Sequence, residues 1–227
     1  SRCMTTLKNV NVNQTIDIRE SDPATNAVRA NGPENMDLLF LARKDVLLYH
    51  HEQIDFVDFY LNQYIIPHKF SQMGPRMAKG DINNDGREDL IIGSTNTLAT
   101  KVFVRTDKGF EEAFFKGLTT KKDFSEADFA ITDIDGDGDN DVIALAGGYE
   151  NISESEYQHY LYENIDGTFI RKSLPIPQFP ASVVRLCDFD HDGDMDFFIG
   201  ARVKKGMFPY ANHSWLVVNN KGTLEAQ

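Results

Sequence analysis

Asp133-Ile-Asp-Gly-Asp-Gly-Asp-Asn-Asp141 decides the fold because its pattern returns twice, as Asp81-Ile-Asn-Asn-Asp-Gly-Arg-Glu-Asp89 and as Asp188-Phe-Asp-His-Asp-Gly-Asp-Met-Asp196. Acidic or amide oxygens stand at positions one, three, five and nine of each copy, and a glycine (Gly86, Gly138, Gly193) stands at position six. Oxygen ligands close round one hard cation only if the backbone turns sharply between them, and glycine allows that turn. Each copy therefore reads as a calcium loop.

Outward from the loops, the spacing defines a repeat. The copies start 52 and 55 residues apart, a period found in propeller blades and solenoid units. A short apolar run precedes each loop (Arg76–Lys79, Phe129–Thr132, Val183–Leu186) and another follows it (Leu90–Gly93, Val142–Leu145, Phe197–Gly200). A third run (Lys101–Arg105, Tyr160–Tyr162, Trp215–Val218) leads to a Gly turn at Gly109, Gly167 or Gly222, and further extended stretches follow, such as Phe110–Phe115 and Thr168–Arg171. Four strands per unit at this period predict an all-β chain, a partial β-propeller of four-stranded blades with calcium loops between the first and second strands.

Rival readings of the loop meet the same residues. An EF-hand requires a bidentate Glu at position twelve, where this chain has Ile92, Ala144 and Ile199. A dehalogenase-like phosphatase uses one Asp-x-Asp as nucleophile and acid, so threefold repetition argues for structure over catalysis. Metal-free Asp/Gly turns are the bland alternative. Five Asp in each of the second and third loops would repel one another strongly without a cation. The first loop is weaker, with Asn83 at position three and Arg87 at position seven.

On these loops the chain resembles the FG-GAP or VCBS repeat proteins, which are built as integrin-α-like propellers. Pro67–Pro75, Ala146–Glu150 and Gly200–Pro209 are similar to the cartilage acidic protein and ASPIC/UnbV group, and Leu7–Ile16 looks like the tail of an ASPIC/UnbV module. The resemblance implies an extracellular, periplasmic or cell-surface module that binds up to three Ca2+ ions and mediates protein or glycan contacts, including cell adhesion, without catalysis. Carried over by position, the ligands are Asp81, Asn83, Asp85 and Asp89, then Asp133, Asp135, Asp137 and Asp141, then Asp188, Asp190, Asp192 and Asp196. Backbone carbonyls of Arg87, Asp139 and Asp194 complete each set. An alternative is an accessory propeller of a carbohydrate-active enzyme such as a polysaccharide lyase.

The organisation expected is a tail over 1–35, a strand-rich lead-in or degenerate blade over 36–75 (runs at Leu38–Leu41, Val46–Tyr49 and Phe56–Tyr60), and blades at about 76–125, 126–180 and 181–227. Seven blades at this period would need roughly 370 residues, so 227 residues suggest a fragment. The last unit reads as lacking its fourth strand, and open blade edges predict self-association.

Charge follows from the loops. The chain carries 35 acidic and 23 basic side chains, net −12, with four carboxylates in the first loop and five in each of the others. Three calcium ions would leave about −6. Without a basic cluster beyond Lys121-Lys122 and Lys204-Lys205, both read as solvated turns, nucleic acid is excluded as a partner. No apolar run reaches the length of a membrane-spanning helix.

Cys3 reads as a bland unpaired thiol and Cys187 as a small packed strand residue. His50, His51, Glu52, Asp55 and His68 lack the His-Glu-x-x-His spacing of a metalloprotease. Sequons stand at Asn13, Asn151 and Asn212. Gly147–Glu156 and Val203–Asn212 are longer than hairpins need and are candidate contact segments.

Overall fold

A computed structural model describes residues 46–58, 64–95, 97–120, 122, 124–150, 153 and 156–227. All of these residues fall within one compact unit. The expectations for the 1–35 tail, Leu38–Leu41, Phe59-Tyr60, Lys121, Cys3, and the sequons at Asn13 and Asn151 lie outside the described residues. So does part of Gly147–Glu156.

Twelve strands are described, and no long helix among them. They are β1 (Met77–Gly80), β2 (Asp89–Ile92), β3 (Lys101–Thr106), β4 (Gly109–Ala113), β5 (Ser125–Thr132), β6 (Asp141–Gly147), β7 (Tyr160–Ile165), β8 (Thr168–Ser173), β9 (Ala181–Cys187), β10 (Asp196–Ala201), β11 (Trp215–Asn220) and β12 (Thr223–Ala226). They form three antiparallel meanders, β1–β4, β5–β8 and β9–β12. One parallel pair, Gly147 with Ala181, links the second meander to the third. The architecture is an all-β partial propeller.

Strand β6 explains why the meanders stack face to face. Its residues Asp141–Gly147 are buried throughout, and the period of two divides them between two cores. Val142 and Ala144 join Ile82, Ile91, Val102, Phe129 and Tyr162 between the first and second meanders. Ile143 and Leu145 join Ile134, Leu161, Val184, Phe197 and Val217 between the second and third. The inner strands approach closely at Gly147, where a Cβ would stand 2.4 Å from the Ala127 Cβ and 2.7 Å from the Ala181 carbonyl oxygen.

Several expectations are corrected. Val46–Tyr49 is irregular: Val46 and Leu48 are left exposed with no apolar face to bury, and only Tyr49 docks, edge-on to Phe103 at 6.4 Å. The last meander does have a fourth strand, since β12 pairs with β11 from Val217–Ala226 to Asn220–Thr223. Cys187 is exposed, on the same β9 face as Arg185. Lys122 is buried, with its ammonium on Glu126 and on Thr100 Oγ1 at 2.7 Å, and 4.9 Å from the Tyr162 ring centroid. A long aliphatic stem and a nearby carboxylate let a sequence-adjacent Lys leave solvent.

Candidate metal centre

Each nine-residue pattern forms the same hairpin. The ninth residue opens the second strand opposite the last residue of the first, as Gly80–Asp89, Thr132–Asp141 and Cys187–Asp196. The buried ninth carboxylate braces the loop. One oxygen accepts from the position-two amide (Ile82 2.9 Å, Ile134 3.0 Å, Phe189 2.7 Å) and the other accepts from the third strand (Arg105, Asn164 and Asn219, each at 2.8 Å).

Backbone amides also aim the other carboxylates. The position-five amide donates to the third side chain: Asp85 to Asn83 at 3.2 Å, Asp137 to Asp135 at 3.2 Å, and Asp192 to Asp190 at 3.3 Å. The position-seven amide donates to the fifth carboxylate at 2.8–2.9 Å in all three loops. Such geometry needs left-handed backbone. Glycine supplies it at position six, with φ of 83°, 96° and 96°, while Asn84, Gly136 and His191 supply it at position four.

Asp133, Asp135 and Asp141 bring one oxygen each within 4.8 Å of one another, and Asp188, Asp190 and Asp196 do the same. Asp188 Oδ1 is buried and has no donor. Burial pushes Asp141 up to about 6; the Asn164 and Ile134 amides oppose that shift, and the Asp135 and Asp137 charges add to it. Desolvation likewise raises Asp135 and Asp190, and neighbouring carboxylates add to each shift. All-oxygen donors that crowd one another upward suit a hard divalent cation, which reverses that cost.

The remaining sequence-derived residues are placed differently. Among the described residues, Asp81, Asp85 and Asp89 do not form a three-acid cluster. Asp81 accepts the Asp85 and Gly86 amides at 3.1 and 2.7 Å, much as Asp133 accepts those of Gly136 and Gly138 at 2.8 and 2.9 Å. Asp137 and Asp192 lie outside the two clusters. Position seven anchors the loop to the turn after the third strand: Asp139 accepts from the Asp166 amide at 3.3 Å and Asp194 from the Lys221 amide at 2.9 Å. Arg87 keeps that link with opposite polarity, pairing with Asp107 at 2.9 Å.

Asparagines that sequence reasoning passed over complete the centre. Asn164 and Asn219 brace the ninth carboxylate by their amides, and their side chains accept Gly167 and Gly222 N–H at 2.9 Å. The shared Asn-x-x-Gly after a third strand was the available signal. Asn140 donates to the Asp81 carbonyl at 2.8 Å, and Asn84 donates to Asp139 at 3.0 Å, joining the first two loops.

The two candidate contact segments meet each other. Tyr149 is buried with Ile66 and Phe70 against Val203 and Phe208, and its hydroxyl accepts the Gly206 amide at 2.6 Å. Their extra length builds a small satellite core.

Residues 133–199, from the second loop to the strand after the third, match the family model of the FG-GAP-like repeat. That segment of the partial propeller is thus similar to the FG-GAP-like repeat. No curated protein gives a significant match to the chain.

Proposed function

We propose that the chain is a calcium-binding, non-catalytic propeller module that mediates protein or glycan contacts outside the cytoplasm. The observation that carries this reading is Asp188 Oδ1, buried without a donor beside Asp190 and Asp196. A buried anionic oxygen with no hydrogen bond is costly until a cation reaches it. Asp188, Asp190 and Asp196 would hold one ion, and Asp133, Asp135 and Asp141 a second. Asp81, Asn83, Asp85 and Asp89 would hold a third, with Asp137 and Asp192 and the carbonyls of Arg87, Asp139 and Asp194 filling the shells. Bound calcium would pin each β-hairpin and so fix the rim of three blades, at about 76–125, 126–180 and 181–227.

FG-GAP-like repeats are generally interaction modules, which supports the non-catalytic reading and a location where calcium is abundant. No helix among the described residues is long and apolar enough to cross a membrane. Phe189 and Phe198 are 57% and 43% exposed on the third meander, which favours self-association through that meander.

The test immobilises the chain and probes it with matrix proteins and with neutral and acidic polysaccharides, in calcium and in EDTA. Saturable binding that EDTA abolishes is expected. Binding indifferent to EDTA, or new reducing ends released from a polysaccharide, would refute the proposal.

A further inference from the structure

We propose that the ends of the inner strands remote from the Asp loops form an oxyanion site built on Arg76 and Arg202. Arg76 immediately precedes β1 and Arg202 immediately follows β10. Both line one cleft of about 20 Å³ with Ser125, Gly148 and Glu150. Strands β1, β5 and β9 begin at this end and run to Asp81, Asp133 and Asp188 at the other. The site is therefore separate from the cation loops, and its occupancy does not depend on them.

Arg76 Nε is buried and has no hydrogen-bond acceptor. A guanidinium N–H shut away from water needs an oxygen, and an unfilled donor of this kind marks a missing guest. Arg202 is half-buried and uses its Nε on Ser182 Oγ at 3.1 Å. Burial lowers the Arg202 guanidinium below its ordinary range, and the positive charge of Arg76 lowers it further. Two like charges are thus held close enough to oppose each other.

No carboxylate of the cleft neutralises them. Glu150 Oε1 accepts the Gln72 amide at 2.6 Å and Gln53 Nε2 at 3.1 Å, and Oε2 accepts the Tyr149 amide at 2.8 Å. Glu126, also on the cleft wall, is paired with Lys122. Among the described residues neither arginine makes an ion pair within 4.0 Å.

The cleft volume admits about one water-sized atom group. The ligand therefore inserts a single oxygen and keeps the rest of its body outside. Guanidinium forks match the planar or tetrahedral oxygens of carboxylate, sulfate and phosphate. A cation is repelled by the same pair, so this end of the molecule has the opposite chemistry to the Asp loops.

The test follows the arginine Nε–H resonances of the 15N-labelled full chain by NMR, at fixed ionic strength balanced with chloride. Acetate, sulfate and phosphate are titrated separately, with and without EDTA. At least one produces a saturable shift of the Arg76 Nε–H, and the arm that does so distinguishes a carboxylate from a tetrahedral anion. R202Q needs about tenfold more anion, as expected for losing one charge-assisted hydrogen bond, and R202K keeps the charge but loses the fork. R185Q, whose wild-type side chain pairs with Asp128 at 2.8 Å, titrates like the wild type. Absence of any saturable shift in the wild-type chain overturns the proposal. So does a response unchanged in both R202Q and R202K.

Discussion

Alanine at Asp141 and alanine at Asp135 separate two jobs that the loop carboxylates do. Asp141 is 1% exposed and accepts two buried amides, Ile134 at 3.0 Å and Asn164 at 2.8 Å. Truncation orphans both donors at about 1–3 kcal/mol each, so D141A should lose about 2–6 kcal/mol even in EDTA. D141N keeps one acceptor oxygen and should lose about half as much. Asp135 accepts only the Asp137 amide at 3.2 Å while repelled by Asp133 and Asp137. D135A should therefore be near neutral in EDTA. In calcium at a hundredfold excess over Kd, each filled loop adds about 2.7 kcal/mol, and D135A forfeits that share for the second loop. Urea unfolding in EDTA and in calcium, followed by circular dichroism and the single Trp215, reads both terms. A D141A midpoint in EDTA equal to the wild type, or a D135A loss equal in both buffers, would refute the division of roles.

Burial holds His159 at about 4, well below its ordinary value of 6.5, with the Phe179 backbone partly offsetting the shift. The unfolded chain binds that proton first, so stability present above pH 6.5 is lost as pH falls towards 4, by about 3 kcal/mol. H159Q keeps an acceptor for the Ala146 amide, and its urea midpoint should lack this step. K122M strips the buried Glu126 of its cation and should cost about 3–5 kcal/mol. K122M/E126Q, which retains an acceptor for the Ser94 amide and for Thr100, should recover most of that loss in the same assay. Sedimentation should show concentration-dependent self-association that F189S/F198S abolishes; identical profiles for the two proteins would remove that interface.

What could be read in the sequence was whatever repeats locally. Three Asp-rich loops with glycine at position six disclosed the hairpins, and their spacing disclosed the four-stranded meanders. The roles inside the loop were less legible, because position nine reads as a ligand alone, and its second role as a brace shows only when the Arg105, Asn164 and Asn219 amides arrive from a strand some twenty residues away. Position four was hidden because His191 shares a left-handed backbone with Asn84 and Gly136 but no chemistry. Strand β5 begins at Ser125, four residues before the apolar run starts, because Glu126 and Asp128 are satisfied across meanders and by a register shift between them. Lys122 and Tyr149 were hidden because partners distant in sequence, Thr100 and Gly206, help to enclose them, Lys122 also pairing with Glu126 four residues on.

Calorimetric titration of the chelator-stripped full chain with calcium tests the metal reading most directly. At least two ions should bind saturably, in the ~0.1–1 mM range typical of extracellular modules, with one lost in D135A and a different one in D190A. Heats no larger than dilution, or a stoichiometry that neither substitution alters, would contradict it.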